Sequence, residues 1–498
     1  MKIFKDYQPK QTFLLPPSLD DFVPEDHEVH IISEVMEEID LSAITDKYEG
    51  GGCPAYDPEM MMKVVVYAYS QKIYSGRRIA QGLKTDTAFM YLSGMQYPDF
   101  RTICKFRSDH ASEIPKIFVE VISLCAQLGM VGLGHIAFDG AKLKASASVK
   151  QTRDQEGLEK ETKRIEEEIA KMLERAHEID QLEDAIYGER DGSELPKELV
   201  KKQARWEKLS AAKRLLEAEK LEKVNLTDSD SRIMQDKKKV KEPCYNGQLA
   251  VDDKEGVIVA ADVVQDATDH AQLEPMVEMV EKNLGDLPQE GSADAGYSSY
   301  DNLEYADKKG LDLYMPDNFL ESLEKQSPEE KRYDKSQFEY DEKPDTYWCP
   351  VGKPLSFYSQ GKREGQEPLR IYRGEECGSC VVREKCTKGQ VRTVTRDGRE
   401  WLMEAMRQKL KTPEGKKTYQ KRMYTVEPVF GNIQGNRGKI MMSLRGKVKV
   451  KGEWLLMCLV HNIRKIVREV LASGTSLGKM LLLLAKKSCP GRMALAKI

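Results

Sequence analysis

The sequence predicts an α/β protein: a mixed sheet within residues 131–320, a helical region ahead of it, and a helical hairpin breaking into the sheet. Three observations carry this. His135–Ser148 reads at period two, with Ile136 and Phe138 on one face and Ala137 and Asp139 on the other. Residues 150–225 switch to apolar spacings of three and four amid dense Glu, Lys and Arg. Residues 1–130 break into short helix-like pieces separated by turn residues. At 498 residues the chain exceeds one ordinary core, so several modules are expected.

Composition narrows the class. With 40% apolar and 32% charged residues, the chain reads as a soluble globular protein. No apolar run follows Met1–Gln8, and Met480–Ala485 is far too short to cross a bilayer, so a cytosolic protein without membrane contact is expected. The net charge of −4 hides an asymmetry: from Arg383 to Ile498 stand about 27 Lys/Arg against about 8 Asp/Glu. Such a surplus fits contact with a polyanion or, more blandly, a solubilising face. Ten cysteines in a cytosolic chain do not suggest a disulfide framework.

In the N-terminal region, Asp26–Glu38 is periodic through Val29, Ile32, Val35 and Met36, and Pro58 opens a second helix after the breakers at Gly50–Gly52. Ser75–Gly82, Thr85–Leu92 and Asp99–Phe106 are three more short pieces. Arg77 and Arg78, then Arg101, Lys105 and Arg107, set cations beside these helices, a texture shared by helix-turn-helix DNA binders and by ordinary helical modules with surface arginines.

The run from Ile165 to Ile186, the break at Gly188–Pro196 and the resumption from Leu199 to Leu221 predict an antiparallel hairpin of coiled-coil type at 150–225. Its charge suits a solvated face, or a surface for dimerisation or DNA. Strands return at Tyr245–Val251 and Gly256–Val264 around the turn Asp252–Gly256. A helix with Leu273, Met276, Val277 and Val280 on its apolar face follows, with Asp269 as its candidate cap. Glu290–Tyr297 is a strand end carrying Asp294, and Leu311–Met315 is one more strand. Three strands, helix, strand, helix, strand suits a mixed sheet of the ribonuclease-H type, where carboxylates on the first and fourth strands lie side by side.

The chemistry-bearing residues stand on this frame. Asp139 is a carboxylate near the end of a strand written for burial, a position that calls for a partner, hydrogen bonds or a metal. Cys349, Cys377, Cys380 and Cys386 give C-x27-C-x2-C-x5-C, with Pro350, Gly352 and Gly378 at turn positions. Four thiolates suit a closed tetrahedral Zn²⁺ site of structural kind; an iron–sulfur cluster or unliganded thiols are the other readings. The region 321–395 is thus expected to be a four-cysteine zinc-binding insertion. Beyond the helix Glu400–Leu410, Tyr419 and Arg422 fall on one helical face, and Pro428 places Glu427 at a helix start or kink. Among Lys421, Arg422, Arg437 and Lys439, Glu427 is either a site residue or one half of an ion pair.

Jointly these residues resemble the insertion-sequence DDE transposases of bacteria, in the branch with a ribonuclease-H-like core. The match rests on FDGAKLKASAS at Asp139, ADAGYSS at Asp294 and YQKRMYTVEPVFG at Glu427, with YNGQLAVDD, ATDHAQLEPM and GEWLLMCLVHNIRK in support. YSGRRIA and PDFRTICKFR are similar to the family's helical N-terminal domain. Two departures stand out: Ala141 where the family often has Thr, and Gln434 where it often has Lys or Arg.

The resemblance implies Asp139, Asp294 and Glu427 as catalytic acids holding two Mg²⁺ or Mn²⁺ ions about 3.5–4 Å apart. It implies cleavage at transposon ends and transfer of the freed 3′-OH into target DNA. Tyr419, Arg422, Arg77, Arg78, Lys142, Arg437 and Lys439 would contact DNA. The partners would be double-stranded DNA, as terminal inverted repeats and target, and a second copy in a synaptic homodimer. The setting would be the bacterial cytoplasm, near the nucleoid. The division expected is 1–130 as DNA-binding domain, 131–320 as the first part of the core and 396–498 as its C-terminal part with a basic tail. An inactive DNA-binding relative and a nuclease that does not join strands are the rival readings.

Overall fold

In the computed structural model, the described residues are 18–48, 54–187, 197–235, 239–317, 333, 335–361, 368–435 and 440–487. The first part is all helix: Glu28–Glu37, Ser42–Thr45, Pro58–Ser70, Gly76–Thr85, Thr87–Ser93, Phe100–Asp109 and Ile114–Gln127. Local chemistry sets the starts. Asp57 accepts from Met60 N at 3.0 Å ahead of Pro58, Asp86 accepts from Ala88 N at 2.9 Å, and Asp99 accepts from Thr102 N at 2.7 Å.

The main sheet centres on His135–Lys144. On one side this strand pairs antiparallel with Lys241–Asp252, which in turn carries Arg232–Gln235 and Ile258–Val264. On the other side it pairs parallel with Glu290–Ala293, followed by Asp312–Tyr314. The turn after Asp252 is fixed by charge: this fully buried carboxylate accepts backbone N–H groups from Gly132, Leu133 and Lys254 at 2.8–3.2 Å.

Lys447–Ser473 lies against this sheet and the helix Ile114–Gln127, joining the C-terminal region to the N-terminal one. Its inner residues are buried from Val450 to Val470. Asn462, itself fully buried, accepts from Ile258 N at 2.9 Å and donates to Ile258 O at 2.8 Å, satisfying an edge-strand backbone that water cannot reach. Gly452 is where the helix comes closest: a Cβ there would stand 2.2 Å from Ala111 O. The helix start is held by Asp228, accepting from Gly446 N at 3.1 Å, and Asp230, accepting from Lys447 N at 2.8 Å.

The hairpin is Gln155–Tyr187 and Lys197–Ala218, packed on each other around Leu158, Ile165, Leu209, Ala212 and Leu216. Thr152 and Arg153 pair antiparallel with Asn225 and Val224 at its root. A second sheet, not anticipated from the sequence, is a meander of Glu339–Asp341, Thr346–Trp348, Pro354–Gly361, Leu369–Gly374 and Thr393–Arg396. Its own core is Phe338, Tyr347, Leu355, Tyr372 and Val394. The region of the expected four-cysteine insertion is therefore built as a small β-unit. Among the described residues no helix is long and apolar enough to cross a membrane.

Candidate active site

Strand register alone brings two acids together. The parallel pairing of His135–Lys144 with Glu290–Ala293 ends at Phe138 opposite Ala293, so Asp139 and Asp294 are the next residue of each strand. Adjacent strands run about 4.8 Å apart, so both carboxylates emerge at the same end of the sheet. Asp139 is 9% exposed, and its Oδ1 accepts from Gly140 N at 2.8 Å. Asp294 begins a short 3₁₀ turn, Ala295–Tyr297, its Oδ1 accepting from Gly296 N at 2.8 Å.

Arg422 meets both acids. It stands on Pro413–Thr425, a helix packed across the parallel strands, with Lys421 tied to Glu290 at 2.9 Å. Arg422 Nη2 donates to Asp139 Oδ2 at 2.7 Å and lies 3.9 Å from Asp294 Oδ2. Burial opposes its charge, but Asp139, Tyr419, Asp294 and Glu427 outweigh that and hold the guanidinium above its ordinary range. Glu427 opens the next helix, Glu427–Gln434, with Pro428 in its first turn. It is solvent-exposed and acts electrostatically on Arg422.

A second layer lies behind the acids. Tyr297 is fully buried, and burial, with Asp269, Asp139 and Asp294 around it, raises its pKa far above 10, so its hydroxyl stays protonated and donates to Gln248 Oε1. Gln248 Nε2 and Asn246 Nδ2 both donate to Asp269 Oδ1, at 2.7 and 2.6 Å. Asp269 is thus not the expected helix cap. The helix starts at Leu273 with Gln272 at its N-cap position, and the Asp269 carboxylate turns instead to two amides of the neighbouring strand. Asn246, Gln248 and Tyr297 had no role assigned from the sequence, and Asp269 only that of a cap, although all four lie in the quoted motifs YNGQLAVDD, ATDHAQLEPM and ADAGYSS. The signal was there: two amides at i and i+2 on a buried strand require a polar partner on that face.

The cationic candidates separate. Lys142 donates to Ala267 O at 2.8 Å, on the loop bearing Asp269, and burial lowers its pKa. Arg77 and Arg78 are exposed on the helix Gly76–Thr85, with Arg77 over the Phe100 ring at 5.2 Å. Arg437 and Lys439 lie outside the described residues.

Cys349, Cys377, Cys380 and Cys386 line one cavity in the second sheet. Lys353 N and Arg392 N donate to the sulfurs of Cys349 and Cys377 at 3.2 and 3.4 Å. Burial raises the Cys386 thiol pKa, and the three other cysteines raise it further. As the side chains stand, no group of three His, Cys, Asp or Glu among the described residues is poised to hold one ion.

Comparison with known proteins gives two family matches. A family described as Transposase DDE domain matches residues 348–467, which include the four cysteines, Tyr419, Arg422 and Glu427 but neither Asp139 nor Asp294. A second, described as Transposase domain (DUF772), matches residues 17–109. No curated protein matches the chain. Among solved structures, a piggyBac transposase synaptic complex with hairpin DNA aligns at 10% identity over 93% of this chain and 81% of that one. Its TM-score is 0.33, too low to bear on fold or function.

Proposed function

We propose, from a chain whose two matched segments make it a DDE transposase, that Asp139, Asp294 and Glu427 are its catalytic acids. Its substrate is then double-stranded DNA, cut at the ends of a mobile element and joined to a target through the freed 3′-hydroxyl. The observation carrying this is the strand register that sets Asp139 beside Asp294, with Arg422 reaching both. The six-stranded sheet, four strands joined by antiparallel pairings and two added in parallel, supports a ribonuclease-H-like core.

The donor set suits a hard divalent cation. Its oxygens come from carboxylates on separate elements, and the Asn246 amide oxygen nearby is buried without a hydrogen-bond partner. Bound Mg²⁺ or Mn²⁺ would activate the attacking oxygen and relieve charge on the leaving one. Asp139 and Asp294 hold their places through the Gly140 and Gly296 N–H bonds, so their orientation is set before substrate arrives. Glu427 would supply the third carboxylate from an exposed helix start, where its charge acts on Arg422. Arg422 is the positive charge shared by Asp139 and Asp294 and, with Tyr419, would meet incoming phosphate. Water is excluded from the rear by Phe138, Ala293 and Tyr297, all fully buried.

Asp139→Asn, Asp294→Asn and Glu427→Gln, assayed on duplex bearing element ends with Mg²⁺, are expected to lose strand transfer by roughly a thousandfold or more each. Cleavage retained in any of the three removes that residue from the mechanism. Cut ends without joined products would make the enzyme a nuclease instead. For the second sheet the same reading takes a structural Zn²⁺ on the four cysteines, supported by their shared cavity and the two N–H···S bonds.

A further inference from the structure

We propose that Asp269 is a fourth carboxylate of the same site, a positioning residue whose Oδ2 serves the divalent cation held by Asp294. This rests on the reading of Asp139 and Asp294 as cation-binding acids.

The two oxygens of Asp269 do different things. Oδ1 is fixed by the amides of Asn246 and Gln248 at 2.6 and 2.7 Å, and Gln248 is fixed in turn by the Tyr297 hydroxyl. Oδ2 faces the acids: a Cβ built on Gly296 would stand 3.3 Å from Asp269 Oδ2 and 2.9 Å from Asp294 Oδ1. The two carboxylates therefore converge on the space that a side chain at this glycine would fill. Gly140, next to Asp139, is the matching gap, where a Cβ would meet Gln248 Nε2 at 2.7 Å, Asp269 Oδ1 at 2.8 Å and Asn246 Oδ1 at 3.2 Å. Any side chain at Gly140 would push against this layer.

A purely structural role accounts for Oδ1 but not for the rest. Three carboxylates, Asp269, Asp139 and Asp294, act together on the buried Tyr297 hydroxyl, a concentration of negative charge that Arg422 and Lys142 offset. Independently, the Asn246 amide oxygen is fully buried, lacks a hydrogen-bond partner and stands in the same gap beside Gly140. An orphaned buried oxygen among carboxylates points to a cation or its bound water as the missing donor. Two oxygens from the strand Lys241–Asp252 side, Asp269 Oδ2 and Asn246 Oδ1, would then orient water on a cation whose direct ligands include Asp294.

Asp269→Asn tests this cleanly. The amide keeps an acceptor at the Oδ1 position for Asn246 and Gln248, and it loses only the charge and the acceptor at Oδ2. With the full chain, Mn²⁺ as probe and paramagnetic resonance of free Mn²⁺ as readout, the variant should bind Mn²⁺ about tenfold to a hundredfold more weakly. Its melting temperature in chelator should be unchanged. Its strand transfer should be low at limiting Mn²⁺ and return to within about threefold of the parent at saturation, which a merely structural lesion would not do. Unchanged Mn²⁺ affinity in Asp269→Asn, with affinity lost in Asp294→Asn, overturns the fourth carboxylate and leaves the active-site reading standing. Unchanged affinity in Asp139→Asn and Asp294→Asn as well overturns both. Should Asp269→Asn melt early in chelator and fail to recover at high Mn²⁺, Asp269 is structural and the inference fails.

Discussion

Deleting the Arg422 side chain should destabilise the metal-free protein, and the loss should be coupled to Asp139. The pair is largely buried, with side-chain exposures of 14% for Arg422 and 13% for Asp139, and its contact is 2.7 Å. Removing one member of a buried pair costs about 3–5 kcal/mol, because the survivor is left charged and poorly solvated. Asp139 retains the Gly140 N–H and Asp294 is more exposed, so the lower end, about 3 kcal/mol, is expected for Arg422→Ala. Asp139→Asn combined with Arg422→Ala removes both charges and should recover about 2 kcal/mol of the summed single losses. Urea unfolding in chelator, followed through the buried Trp454 that contacts Gln248 O at 3.4 Å, reads the layer concerned. Added Mg²⁺ should narrow the Arg422→Ala deficit, since a cation at the acids replaces the lost charge. Coupling below about 0.5 kcal/mol, together with a deficit indifferent to Mg²⁺, would refute the view of Arg422 as counter-charge to the acids.

Other tests address the frame. His461, buried against Gly256 O at 3.0 Å, has its pKa depressed to about 4 from 6.5, chiefly by burial. The unfolded chain takes up that proton first, so the contribution is whole above pH 6.5, falls as pH drops toward 4, and amounts to about 3 kcal/mol. His461→Gln should flatten the stability profile in that window relative to the parent; parallel profiles would contradict the depressed value. Gly452→Ala sets a methyl 2.2 Å from Ala111 O and should cost about 2 kcal/mol or more in thermal unfolding, whereas Gly478→Ala, in open space, should not. Elemental analysis should find one zinc per chain, released by chelator together with melting of the second sheet. Cys377→Ser with Cys380→Ser should abolish it, and a metal-free native preparation that melts no earlier would argue against the site.

The sequence disclosed elements where one physical signal dominated. His135–Lys144 was legible because a buried strand forces period two and left Asp139 conspicuous, and the hairpin because long solvated helices need a repeating apolar seam. The site was legible as far as chain order reaches: Asp139 and Asp294 follow from two parallel strands in register. Asp269 was not, since an Asp ahead of a helix reads as a cap by local rules, and only the fold shows Asn246 and Gln248 competing for it. The second sheet was hidden for a different reason. Its strands are short and carry exposed Trp348, Phe357 and Tyr358. Two of its five core residues are tyrosines, Tyr347 and Tyr372, whose hydroxyls bond Arg396 and Asp345. Neither polarity nor alternation marks such strands from a polar loop.

The clasp of Thr152 and Arg153 against Asn225 and Val224 has a bearing on how this chain can vary. Both stems of the excursion leave and re-enter the body at one spot, with the Asn225 amide locking them through Ser148 O at 2.8 Å and Thr152 Oγ1 at 3.0 Å. Its internal seam of Leu158, Ile165 and Leu209 belongs to it alone. Length gained or lost beyond that clasp is therefore silent at the sheet. The tally of residues separating one acid from the next is free to drift, while the gap between them in space is not.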